Sequence, residues 1–189
     1  QILLVTSEGC DQLRWLPPQS NLKQGHQLLA LPTFRPNLSL LAFTVELDGG
    51  SLLELLDRDD GGTPTVSLSY GRMVVRTNFN GAKLNLQIDT KRKVTLTLNS
   101  TETAIGIEVV PRAPIGQNPE VAGRTYDVNI YSLSGSVDWQ EATLRGVIDA
   151  GQLQGLGSMP PTEAESFASA PDWLTEVKVS NLEKRAVPV

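Results

Sequence analysis

The chain has 189 residues, 16 Lys and Arg against 21 Asp and Glu, a net charge of −5, one Cys and one His. A chain of this length buries about 70% of its unfolded surface in one domain without staples, and single Cys and His residues exclude a disulfide framework, Cys-rich zinc modules and HExxH metalloproteases. Net acidity disfavours nucleic acid as a partner, because phosphate selects a basic face, and no apolar run reaches the roughly 20 residues of a membrane span.

Gln1 leads straight into Ile2, Leu3, Leu4 and Val5 without a basic n-region, the pattern of a mature or excised segment and not of a signal peptide. From there alternation dominates. Phe43, Val45 and Leu47 share one strand face; Leu84, Leu86 and Ile88 alternate with Lys83, Asn85 and Gln87; Val94, Leu96 and Leu98 alternate with Thr95 and Thr97; Ile105, Ile107 and Val109 repeat the pattern. Side chains switch faces with period two in a strand, so each segment has one buried face and one wetter face. Strands are predicted at 2–6, 28–31, 40–47, 52–56, 65–69, 73–77, 83–88, 93–98, 104–110, 126–131, 135–139, 143–148 and 173–179. Asp48-Gly49-Gly50, Asp59-Asp60-Gly61-Gly62, Tyr70-Gly71, Asn80-Gly81 and Asn99-Ser100 punctuate them as turns.

Only 162–170 reads as helix, with Thr162 as N-cap after Pro160-Pro161 and Glu163 and Glu165 in the first turn. The Pro-rich stretch 111–124 reads as an irregular loop. The expected fold is all-β: one antiparallel jelly-roll β-sandwich over 1–182 with one short helix near the C-terminus. Residues 183–189 are expected to be a tail or linker, in which Lys184-Arg185 reads as a solvated dibasic pair, with a processing site as the alternative.

Sandwiches of this shape include glycoside hydrolases, so carboxylate spacing is the test of catalysis. Glu46 and Asp48 share a strand face, but the next positions of the required pattern are Gly50 and Ser51, and Glu54 lies beyond the turn. The second carboxylate that must stand across the scissile bond is missing from this strand. His26 sits in the polar run Lys23-Gln24-Gly25-His26-Gln27 and Cys10 between Gly9 and Asp11, with no nucleophile signature around either. Gly155-Leu156-Gly157 lacks the remainder of a nucleotide loop. The chain is therefore expected not to be an enzyme. Two N-x-[ST] sequons, at Asn37 and Asn99, permit glycosylation of a secreted protein.

The run Leu52-Leu53-Glu54-Leu55-Leu56, an acidic-glycine loop, and Val66-Ser67-Leu68-Ser69-Tyr70-Gly71-Arg72-Met73-Val74-Val75 resemble the core of a laminin G-like module. Leu153-Gln154-Gly155-Leu156-Gly157-Ser158-Met159-Pro160, then Phe167 and the run from Trp173 to Asn181, resemble that family's closing segments. The family's C-terminal Cys is absent, with Trp173 near its place. The resemblance implies a non-catalytic extracellular recognition or adhesion module, secreted or on a cell or virion surface, that binds a protein or glycan receptor beside other domains of a larger chain. It also implies one Ca²⁺ at the sandwich rim, for which Asp60, then Asp59, with Asp57, are the matching residues; clustered Asp oxygens suit this ion, and a solvated acidic turn is the alternative. Lys91, Arg92 and Lys93, with Arg72 and Arg76, form a candidate patch for sulfated glycans, or a solubility device at a hairpin entrance. Trp15, Trp139 and Trp173 stack on sugars if exposed and otherwise pack the core. A viral surface-spike or capsid-protruding domain that attaches to a host receptor, and a structural domain packed against its parent chain, are the other readings.

Overall fold

A computed structural model of the chain describes residues 3–6, 12–90, 92–112, 125–157 and 163–175. The predicted alternation becomes strands β1 (Leu3–Thr6), β2 (Arg14–Trp15), β3 (Gln27–Ala30), β4 (Asn37–Leu40), β5 (Phe43–Leu47), β6 (Leu52–Leu56), β7 (Thr65–Thr77), β8 (Ala82–Gln87) and β9 (Lys93–Leu98). Strands β10 (Ala104–Arg112), β11 (Thr125–Ser134), β12 (Ser136–Glu141), β13 (Leu144–Asp149), β14 (Gln152–Gly155) and β15 (Glu165–Ser166) follow, then the short helix α1 (Asp172–Thr175).

The strands form an all-β, antiparallel sandwich. Sheet I runs β2-β1-β3-β6-β7-β8-β9-β12-β13, and sheet II runs β4-β5-β7-β10-β11-β14-β15. Among the described strands, the one parallel pairing joins β8 to the start of β7. Side chains from both inner faces, among them Leu28, Leu47, Leu53, Leu68, Met73, Leu84, Leu96, Ile105, Ile107 and Ile130, meet in a core from which water is excluded. Each such Leu or Ile contributes about 1.5–3 kcal/mol of transfer free energy.

Strand β7 belongs to both sheets. Its first half pairs with β6, and from Gly71 onward it pairs with β5 and β10. Tyr70-Gly71, expected as a turn between two strands, is instead a bend within one 13-residue strand. Gly71 has φ +101°, and a Cβ there would stand 2.6 Å from the Ser51 Cα, so only glycine fits the bend. The buried Ser51 hydroxyl accepts from the Arg72 N–H at 2.8 Å and donates to the Arg72 carbonyl at 3.0 Å, replacing ladder bonds where the strand leaves sheet I.

The helix expected at 162–170 is displaced. Among its described residues, Glu165 and Ser166 form β15 against β14, and the helix is α1, at Asp172–Thr175, capped by a Leu174 N–H bond to the Pro171 carbonyl. Local capping signals at 162–165 lose to strand pairing and to the burial of Phe167, Ala170, Trp173 and Leu174 on sheet II. Trp173, expected to open a strand, is therefore helical, and 176–179 lie outside the described residues. Asn85, read as a solvent-facing alternate, is 1% exposed because the loop after β6 covers it.

Candidate functional site

The outer face of sheet II carries the site, and the strand register builds it in two rows. Arg72 on β7 stands opposite Glu108 on β10, which stands opposite Asn129 on β11. One step along, Val74, Gly106, Tyr131 and Leu153 lie side by side. With no side chain at Gly106, the second row has a dimple between Val74 and Tyr131, and Leu174 of α1 fills it.

The first row is an ion-pair network. Arg72 Nε donates to Glu108 Oε1 at 2.8 Å, and Arg72 Nη1 lies 3.9 Å from Asp48 Oδ2. Asp48 Oδ1 accepts from Arg35 Nε at 3.1 Å, and Arg35 Nη1 also reaches Glu46 Oε1 at 3.5 Å. Arg76 Nη1 lies 3.5 Å from the other Glu46 oxygen. Glu108 Oε2 accepts from Asn129 Nδ2 at 3.2 Å and from the Tyr131 hydroxyl at 3.4 Å. Burial pushes the Tyr131 phenol above its ordinary range, and the neighbouring Glu108 charge adds to this. Half-buried guanidinium–carboxylate pairs of this kind fix both partners in orientation as well as charge.

Trp173 joins the two rows. Its ring lies under the Arg72 guanidinium, 5.4 Å from Cζ to the centroid, and meets Tyr131 edge-on at 5.8 Å and 85°. Phe167 meets the same tyrosine at 6.0 Å and 67°. Beside them opens a cleft of about 490 Å³ lined by Thr33, Arg35, Asp48, Gly49, Arg72, Asp172 and Trp173. A smaller one of about 200 Å³ adjoins it across Asp48 and Arg72 and extends to Ser51, Tyr70 and Glu108. The arrangement offers a ligand fixed N–H donors, carboxylate acceptors and an aromatic wall.

Glu46 and Asp48 do share a strand face as expected, and both are engaged by arginines. The other sequence candidates are scattered. Asp59 is a turn cap: Oδ1 accepts from the Gly61 and Thr63 N–H groups at 3.0 and 2.8 Å, and Oδ2 accepts from Asn85 Nδ2 at 2.9 Å. The Asn85 bond first, then the Thr63 N–H, holds its carboxyl below the usual range. Asp57 and Asp60 are exposed on the same loop. No group of three or more His, Cys, Asp and Glu side chains placed to hold a metal occurs among the described residues.

Lys91 lies outside the described residues, Lys93 is exposed, and Arg92 forms a bidentate pair with Glu141 at 2.7 and 3.1 Å that ties the β8–β9 turn to β12. Arg72 and Arg76 pair instead with Asp48, Glu108 and Glu46 of sheet II. Asn37 is exposed on edge strand β4, opposite Glu46. Asn99 is exposed, but its Nδ2 donates to Ser136 Oγ at 3.2 Å and Asp138 Oδ1 at 3.0 Å. His26 accepts the Lys23 N–H in a surface turn, and Cys10 lies outside the described residues. Trp139 is in the core, whereas Trp15 is half exposed.

Arg35, Gly106, Glu108, Asn129 and Tyr131 had not been singled out from sequence. The available signal was the polar alternates of four strands, Glu46, Arg72, Arg76, Glu108 and Asn129, whose charges cancel.

No family model matches the chain, and no curated protein matches it. Two crystal structures of a proposed anti-sigma factor from Parabacteroides distasonis are similar to it at 7% and 8% identity, each with a TM-score of 0.49 and covering 74% of this chain. This chain spans 59% of the length of those chains. Likeness at that level carries no statement about what the protein does.

Proposed function

We propose that this chain is a non-catalytic recognition module, of the extracellular or surface-exposed kind, that takes a protein or glycan partner in the cleft between Arg35, Asp48, Arg72 and Trp173. The observation that carries the reading is the way the cleft's charges are held. Arg35, Asp48 and Arg72 are each within 4 Å of an opposite charge, so the walls are a rigid set of donors and acceptors. Fixed groups of this kind read the shape and hydrogen-bonding pattern of a ligand at little ordering cost.

The test is a screen of the labelled domain against a glycan array and a panel of immobilised surface proteins, run beside Trp173→Ala. A ligand whose signal falls about tenfold or more in the variant supports the reading. Binding indifferent to Trp173, or turnover of an arrayed oligosaccharide, sinks it. Calcium at the 57–62 loop is a separable part of the proposal, since an ion there competes with Asn85 for the Asp59 carboxylate.

A second reading, a domain packed against its parent chain, is favoured by one end of the sandwich. Leu41 and Phe79 are each 60% exposed there on turns joined through Thr77, whose hydroxyl bonds the carbonyls of Ala42 and Phe79 at 3.0 and 3.3 Å. Leu41 has φ +53°, a conformation costly for leucine, so this turn presents an apolar side chain at some strain.

A further inference from the structure

Among the described residues, β13 is the longest of the outermost strands; β2, β4 and β15 have two, four and two residues against its six. It also carries two exposed apolar residues, Leu144 at 46% and Val147 at 53%. Edges of this length are normally blunted, because their outward N–H and C=O groups template pairing with another strand.

The polarity of this edge follows from its neighbours. The Asn99 N–H bonds the Ser136 carbonyl, so Ser136 faces β9, and the alternates Val137, Trp139 and Glu141 face β13. Their partners are Ile148, Gly146 and Leu144. The backbone groups of Arg145, Val147 and Asp149 therefore point away from the sheet, where no strand pairs with them among the described residues. The Asp149 N–H alone is occupied, by Gln152 Oε1 at 2.9 Å. The side chains of these same residues all lie on the outer, exposed face.

We propose that β13 pairs antiparallel with β13 of a second copy of this chain about a two-fold axis at Val147. The sequence of the strand is complementary to itself in that register. Val147 meets Val147 of the other copy, and Arg145 meets Asp149 twice, once on each side of the axis. Neither Arg145 nor Asp149 forms an ion pair within the described residues; opposite them on β12 stand Gln140 and Ser136, and Asp138, opposite Val147, is held by Asn99. On the backbone, the Val147 residues exchange two hydrogen bonds, and each Arg145 N–H donates to the opposite Asp149 carbonyl. Cross-strand pairs of opposite charge stabilise such a ladder, and like charges directly opposite disrupt it.

The partner is thus a second copy, held by a small symmetric contact that calls for measurement at high protein concentration. Sedimentation equilibrium of the full chain across roughly 10–500 µM tests this. The wild type should show a concentration-dependent monomer–dimer equilibrium that weakens with salt. Arg145→Asp and Asp149→Arg each turn both charge pairs repulsive and should weaken it about tenfold or more. The double variant Arg145→Asp/Asp149→Arg restores the pairs and should restore dimerisation, a rescue that misfolding cannot produce. A monomer throughout the range overturns the proposal, as does a monomer whose β13 amides are protected from exchange, since the chain's own segment then covers the edge. A dimer indifferent to all three variants overturns it as well.

Discussion

Replacing Gly106 by alanine puts a methyl group into the dimple that seats α1. A Cβ there would stand 3.0 Å from Trp173 Cη2 and 3.2 Å from Leu174 Cδ1, and it overlaps Leu174 Cδ2 outright. Leu174 has little room to turn, being 9% exposed and wedged against Val74 and Tyr131. Two responses are open. Forced repacking costs about 1–3 kcal/mol. Undocking of the segment forfeits about 1.5–3 kcal/mol for Leu174, plus about 0.5–1.5 kcal/mol for each of the Tyr131 pairs with Phe167 and Trp173. Repacking is the cheaper route, and alanine returns about 0.5–1 kcal/mol over glycine in strand. The net expectation is a loss of about 0–2.5 kcal/mol in urea unfolding with an unchanged m-value, together with faster hydrogen exchange over 163–175. The main core should be untouched, because Leu174 is not part of it. Wild-type stability combined with wild-type exchange over 163–175 would refute the claim that Gly106 is the seat of α1.

Ser51→Ala leaves the buried Arg72 N–H without its acceptor where β7 changes sheets, while the Arg72 carbonyl keeps the Asp48 N–H at 3.0 Å. A loss of about 1–3 kcal/mol in chemical denaturation is expected, and a neutral result would show that water replaces the hydroxyl. Asp59 has a lowered carboxyl pKa, so its contribution is present above the ordinary value of about 3.9 and is lost as pH falls through the lower folded value. The Gly61 and Thr63 amide resonances should therefore shift with a midpoint below about 3.9, and Asp59→Asn should abolish that titration; a midpoint at or above 3.9 contradicts the cap. A calcium titration followed at the same amides separates a metal loop from a solvated turn: saturable shifts that vanish in Asp60→Ala support the ion, and unmoved resonances remove it.

The strands were readable because their signal is local. Leu84 and Leu86, or Val94, Leu96 and Leu98, alternate within six residues and are fully buried as the period demands. Two failures were equally physical. Gly71 carries the signature of a turn, and only Ser51, twenty residues earlier in sequence and adjacent in space, turns it into a bend inside a continuous strand. The stretch 162–165 carries helix-start signals, but Phe167, Ala170, Trp173 and Leu174 pack on Val74 and Tyr131 of sheet II. The site was the least legible part. Glu46, Asp48 and Arg72 were visible as charged alternates, yet their meaning depends on Arg35 and Glu108, and a strand's outer face does not announce its neighbours. Arg72 and Glu108 are 36 positions apart and become partners only through the β7–β10 register.

The most direct test of the recognition account is calorimetric binding of a ligand captured by the wild-type domain to the variant Arg72→Gln. The substitution removes the charge that links Asp48, Glu108 and Trp173 while keeping a polar side chain in the cleft. The account predicts affinity weaker by about tenfold to a hundredfold, as for loss of a charge-assisted contact, with the fold retained and stability lowered by the lost Glu108 pair. Undiminished affinity in a folded Arg72→Gln protein would place the ligand elsewhere and contradict the assignment of the cleft.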